Sequence, residues 1–472
     1  MVMHRSGARR GTMPLMTLPA SRFVRGLLPL ALSLVVALTV AVGSAAIPAP
    51  AAGAETVTTT KLKQRYLMVA EYDTASGELR VAQTITLTNR ASHAINAVNL
   101  SVIPRALNGF SLPSVVKVDG VPATQTWTTT TNLRVNLGRN LSRGQTTKLT
   151  MTYRIFPRSQ AGAFSARLAR DAGVTSFGEW FPIVSREHDS YGVGDPQVSF
   201  KAESVELRLT TSTALPRHAV ACAGRKEAPS GVGRFWRCRT TDVRDFAFAV
   251  NPDYRYRSRR VGDTIIRVYT ETVDGRVTLD KAAYAMGRLN ALYGTYPYGD
   301  LVLAEVGASG GFSMEYPRQI HLTRSKVNDT YVVYHEVAHQ WFYGLLGNDQ
   351  MREPWLDEGF ADFTTRYLMG IGENQCGRKN IDASVWTWDA GLTSGGNWTS
   401  CGGYFHTVFY RSTEMLNQVR NLMGASDFFA AMRAHIADRR YGITTTRAVL
   451  DHLEAWDGAN LLPLFEAYTK RY

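Results

Sequence analysis

The most extended regularity in the chain is an alternation of apolar and polar positions. Val205, Leu207 and Leu209 alternate with Glu206 and Arg208, and Phe246, Phe248 and Val250 alternate with small residues. A period of two sends every second side chain to one face of a strand, the signature of a half-buried sheet. Threonine is abundant here, and Ala75-Ser76-Gly77 and Val118-Asp119-Gly120 supply turns between the runs. The pattern predicts a large antiparallel β domain over residues 55–260. Within it, Trp180-Phe181-Pro182 reads first as core packing, with a place on the wall of a cleft as the alternative.

Near Gly262 the period changes. A strand is expected over residues 264–269, followed by a helix from about 278 with Thr278 as its N-cap. Two apolar strands follow at 301–306 and 313–322, then helices at 328–346, 357–369, 404–422, 427–438 and 444–456, the last ended by Gly458. A Gly/Asn/Ser-rich loop spans 370–403 and is expected near the functional site. The fold class is therefore multidomain α+β, with a mainly helical second domain over residues 261–472.

The chemistry concentrates in that second domain. His335-Glu336-Val337-Ala338-His339 places two imidazoles four residues apart on one helical face, near enough to reach one metal ion. Zinc accepts imidazole nitrogen readily, and a catalytic site needs three protein ligands with a fourth position open to water. Glu358, separated from His339 by eighteen residues, is the natural third ligand, giving one Zn2+ per chain. Glu336 does not ligate. It is placed to take a proton from the attacking water and deliver it to the leaving nitrogen. Asp362, one turn beyond Glu358, could accept the outer N–H of a ligand histidine.

His335–Phe342 with Trp355–Phe360 resembles the aminopeptidase N family of zinc metallopeptidases, whose third ligand is Glu. Met314-Glu315-Tyr316-Pro317 resembles a second segment of that family, and 424–433 and 441–465 its closing helices. The resemblance implies a thermolysin-like catalytic domain, in a short form without the family's additional β module and long helical domain. It also implies a zinc-dependent peptidase, most simply an aminopeptidase acting on peptides or proteins, with Glu315 and Met314 at the substrate and Glu315 binding the free α-amine. An endopeptidase using the same site and a zinc-retaining binding protein are the alternatives. The chain departs from the family twice. Phe312 stands where a close-approach Gly is usual, and Phe409 stands where the oxyanion-stabilising Tyr is usual. Tyr410 is the first replacement for that hydroxyl, with Tyr404 or His406 as alternatives.

Composition refines this picture at three points. Five arginines precede an apolar run from Gly26 to Val42 and a small-residue stretch ending at Ala54. That order reads as a secretory signal over residues 1–54, so the protein is expected to be secreted or envelope-associated, with no membrane attachment once the signal is removed. An uncleaved membrane anchor is the alternative, since the 17 apolar residues from Gly26 to Val42 are near the lower limit for a span. The net charge of +13 falls to +8 without those arginines, since residues 1–54 contain no acid. No basic run is interleaved with aromatics, which argues against nucleic acid. All four cysteines lie beyond the signal, and an exported chain favours disulfides 222–238 and 376–401 among three possible pairings.

Overall fold

The computed structural model describes residues 62–107, 109–112, 114–158, 167–171, 173–185, 200–307, 312–350, 352–372 and 405–468; side chains of Phe405 and His406 fall outside it. The leader segment, Cys376 and Cys401, Tyr404 and most of the 370–403 loop lie outside the described residues, so expectations for them stand as made.

The alternating pattern folds as expected. Leu62–Tyr72 and Leu79–Asn89 bury every second side chain and pair antiparallel along their full lengths. They lie inside a nine-stranded sheet that runs from Arg225–Glu227 through Val232–Thr240 and Ser204–Pro216 to Leu62–Tyr72, and on through Leu79–Asn89 to Thr146–Ile155. One expectation needs correction: Leu62–Tyr72 pairs parallel with Ser204–Pro216, so the sheet is mixed. A parallel neighbour requires a long crossover, and more than a hundred residues of chain separate the two strands. Phe248–Val250 is buried on both faces, its alanine as deeply as its larger residues, because a second sheet packs on its other side. Trp180 is fully buried and its Nε1 donates to Phe246 O at 2.9 Å, which settles that tripeptide as core. Cys222 and Cys238 form a disulfide with Cα atoms 6.3 Å apart.

A separate four-stranded sheet, in the order Arg255–Val261, Thr264–Thr270, Asp300–Val306, Gln319–Thr323, accompanies the helices. Its first strand begins at Arg255, slightly ahead of the boundary expected at 260/261. The helix Gly275–Tyr293 is capped by Asp274, whose carboxylate accepts from Arg276 N at 3.1 Å. Thr278 is therefore inside the helix rather than its cap, with its hydroxyl 2.9 Å from Val327 O. The expected strand at 313–322 is instead a tight hairpin. Met314 bridges His321 in antiparallel fashion, and the chain reverses through Arg318 at φ +66°. Among the described residues, no helix is long and apolar enough to cross a membrane.

The helix bearing the histidines is shorter than its sequence suggests. It runs Thr330–Ala338, with Asp329 accepting from Val332 N at 3.3 Å. His339 closes it, and the hydrogen bonds then lengthen by one residue: Gly344, Leu345 and Leu346 donate to the carbonyls of His339, Gln340 and Trp341. Tyr343 at φ +113° breaks the helical path. Only glycine fits at position 344 without a shift, since a Cβ there would meet Gln340 O at 2.7 Å. The helix expected at 357–369 runs Glu358–Met369, with Asp357 as its cap, its carboxylate accepting from Glu358 N at 2.8 Å. Gly458 ends the helix Thr446–Asp457, but one more helix, Leu462–Tyr468, follows it.

Candidate active site

Two helices bring three donors to one point. His335 Nε2 and His339 Nε2 are 3.0 Å apart, and Glu358 Oε2 lies 3.1 Å from the first and 3.2 Å from the second. All three side chains are buried. Ligands about 2.0–2.1 Å from a tetrahedral zinc stand about 3.3 Å from one another, so the triangle has the size of a zinc half-shell. Two imidazole nitrogens face to face repel each other unless a proton or a cation lies between them, and the donor set therefore fits a metal. His339 Nδ1 lies 3.1 Å from Phe342 O, an outer contact of the kind that fixes a ligand tautomer.

The local field is strongly coupled. Burial alone would raise Glu358, but His339 and His335 outweigh it and hold the carboxylate at about 2, ionised. Burial would lower His339, and Glu315 and Glu358 overcome it, keeping that imidazole above its ordinary value. Glu336 is pushed up to about 8, first by burial and also by Glu358, with His339 opposing. Its Oε2 is buried with no hydrogen-bond partner among the described residues. Such an oxygen is expected where a carboxylate faces a reacting water.

Among the described residues, Asp362 hydrogen-bonds neither His335 nor His339, contrary to expectation. Its carboxylate accepts from Tyr331 OH, from Arg366 Nε at 2.9 Å and from Thr413 Oγ1 at 2.7 Å. Three nearby donors on three helices outcompete the imidazole, and His335 Nδ1 has no partner among the described residues. Asp362 thus ties together the helices that carry the ligands. Tyr331, one turn before His335, was legible from its i−4 spacing but was not singled out. Its ring lies parallel to His335 at 5.9 Å between centroids.

Phe409 also lies parallel to His335, at 5.6 Å, while Tyr410 packs beneath the Arg366 guanidinium at 5.0 Å. Residues Phe405–Tyr410 form a π-helical turn, which shifts side chains round the axis relative to a regular helix. Side chains of Tyr404 and His406 lie outside the described residues. Glu315 is buried beside the site and acts on His339 through charge. Met314 is buried with it, whereas Phe312 is exposed. The sequence reading missed Gln340, which follows His339 directly and ties the Glu315 segment to the metal helix.

Among the described residues, His335, His339 and Glu358 form a group that could hold a metal ion. The Peptidase family M1 domain matches residues 313–393, the stretch holding all three candidate ligands. Mouse endoplasmic reticulum aminopeptidase 1 is 41% identical over 51 residues, covering 11% of this chain and 6% of the relative. Rice aminopeptidase M1-D is 22% identical over 246 residues, covering 44% of this chain and 27% of the relative. The chain thus spans well under a third of the length of these relatives. An M1 zinc metallopeptidase structure from Deinococcus radiodurans superposes with a TM-score of 0.61 at 17% identity, covering 87% of this chain and 94% of that one. A two-domain M1 zinc metallopeptidase bound to L-arginine gives 0.63 at 17% identity, covering 88% and 96%. At that identity the likeness shows a shared two-domain fold with a β-rich N-terminal part.

Proposed function

We propose that the protein is an exported zinc aminopeptidase, and the observation that carries this is the buried His335–His339–Glu358 triangle with Glu336 beside it. Zinc held by those three residues would supply Lewis acidity toward the scissile carbonyl and make the attacking water more acidic. Glu336 accepts the proton of that water and returns it to the departing amine. Glu315 binds the substrate's α-ammonium by charge pairing, which restricts cleavage to the first peptide bond. Its buried position next to the metal ligands supports this role. Tyr410 is the proposed hydroxyl donor to the oxyanion, its π-helical setting supporting a displaced replacement for the residue at Phe409. The basic–apolar–small order of residues 1–54 supports export.

One observation favours a second reading, a zinc-retaining binding protein: the ring facing His335 at position 409 is apolar. Turnover of aminoacyl-anilides by the zinc-loaded protein, lost in Glu336→Gln, separates the two. A protein that binds zinc stoichiometrically and cleaves nothing would support the second.

A further inference from the structure

One buried side chain holds the turn that carries Glu315 to the metal helix. Gln340 is fully inaccessible and makes four hydrogen bonds. Its Nε2 donates to Glu315 O at 3.2 Å and Tyr316 O at 3.3 Å, while its Oε1 accepts from Arg318 N at 2.8 Å and Tyr296 OH at 3.0 Å. That uses the whole capacity of an amide, two donors and two lone pairs. Three of the four partners belong to a single turn.

The turn needs such a hold. Arg318 sits at φ +66°, a conformation that non-glycine residues keep only when their surroundings over-determine it. Its guanidinium is fixed by Asp300 and by Thr240 Oγ1 at 2.6 Å, and lies 4.9 Å from the Tyr298 ring centroid. Those contacts fix the far end of the turn to the sheet. Gln340 fixes its near end to the residue after His339. None of the Gln340 side-chain bonds reaches a candidate metal ligand; three hold the turn and the fourth ties it to Tyr296.

We propose that Gln340 is a positioning residue for substrate selection, keeping Glu315 at the distance from the metal ligands that admits a free α-ammonium and disfavours a blocked one. This rests on the reading of Glu315 as the amine anchor. Gln340→Met keeps the length of the side chain and removes all four bonds. Gln340→Glu keeps the acceptor for Arg318 N and Tyr296 OH but loses both donors.

The test uses the full zinc-loaded chain and two readouts. In Gln340→Met, amide exchange at Arg318 is expected to accelerate at least tenfold, with residues 333–337 unchanged and one zinc still bound. The ratio of kcat/KM for leucine anilide to that for an N-blocked quenched peptide is expected to fall at least tenfold, mainly through KM, with Gln340→Glu intermediate. Unchanged exchange at Arg318 overturns the proposal. So does an equal loss on both substrates with parallel loss of zinc, the result of a merely structural role. A wild-type protein that hydrolyses blocked and free substrates equally defeats the reading of Glu315 and the selection role with it. The exchange rates would then report separately on whether Gln340 holds the turn.

Discussion

Gly178 lies in the β-rich part of the chain, yet its substitution is expected to damage the active site. A Cβ at this position would lie 1.9 Å from Tyr316 Oη, 2.2 Å from Cζ and 2.7 Å from Cε2, whereas ordinary contact begins near 3.4 Å. The tyrosine ring is rigid and fully buried, and it meets His321 edge-on at 5.2 Å. It must therefore retreat by about 1.5 Å to reach ordinary contact, and no flexible side-chain end can absorb the shift. Overpacking of this kind costs about 1–3 kcal/mol. Tyr316 adjoins Glu315, and both carbonyls are bonded to Gln340, so the displacement passes into the anchor turn. Misplacement by about 1 Å can cost about 100-fold in rate. Gly178→Ala should lower kcat/KM for an aminoacyl-anilide by about that factor and shift the denaturant midpoint by the stated stability. In the Tyr316→Leu background, where the ring is gone, the added alanine should cost at least about 1 kcal/mol less. A Gly178→Ala protein with wild-type midpoint and activity within about twofold of wild type would refute the reasoning.

Four further outcomes follow from other parts of the structure. Glu336→Gln should retain one zinc and lose about 100- to 10,000-fold in kcat, measured by metal analysis beside steady-state kinetics. Asp362→Ala strands the largely buried Arg366 and should cost about 3–5 kcal/mol in chemical denaturation. His321 is lowered to about 3 by burial; the unfolded chain takes up a proton below about 6.5, so stability is present above that pH and is lost as pH falls toward 3. At pH 5 the loss is about 2 kcal/mol, and His321→Leu should flatten the stability profile between pH 7 and 5 by that amount. Cys222→Ser with Cys238→Ser opens a disulfide loop of sequence separation 16, which should cost about 3 kcal/mol under non-reducing conditions.

Much of the site was legible because its signals are local. His335 and His339 share a helical face by spacing, and Asp357 caps the helix on which Glu358 is the first residue. The alternation in Val205–Leu209 likewise reports a strand directly, since burial of one face needs no knowledge of the partner. What failed depended on distant parts of the chain. The apolar run after His339 continues in helical style, but three buried aromatics and a left-handed Tyr343 turn it aside. Residues 313–322 look like one strand because Met314, Ile320 and Leu322 are all buried, although the chain reverses between them. The parallel pairing of Leu62–Tyr72 with Ser204–Pro216 joins segments more than a hundred residues apart. Asp362 was assigned to a histidine from its one-turn offset. Of its three actual partners, Arg366 lies on the same helix, and Tyr331 and Thr413 come from two other helices. Gln340 carries no signal in its residue type, and its role emerges only where the Glu315 turn folds back onto it.

The central claim is a zinc site that hydrolyses peptides from a free amino terminus. The most direct measurement compares hydrolysis of aminoacyl-anilides with that of N-blocked, internally quenched peptides by the purified protein, by Glu336→Gln and by chelator-treated protein. The account predicts turnover of the free-amine substrates alone, lost in Glu336→Gln and after chelation, and restored in the wild type by zinc. Efficient cleavage of blocked peptides, or no cleavage by protein carrying one zinc per chain, would contradict it.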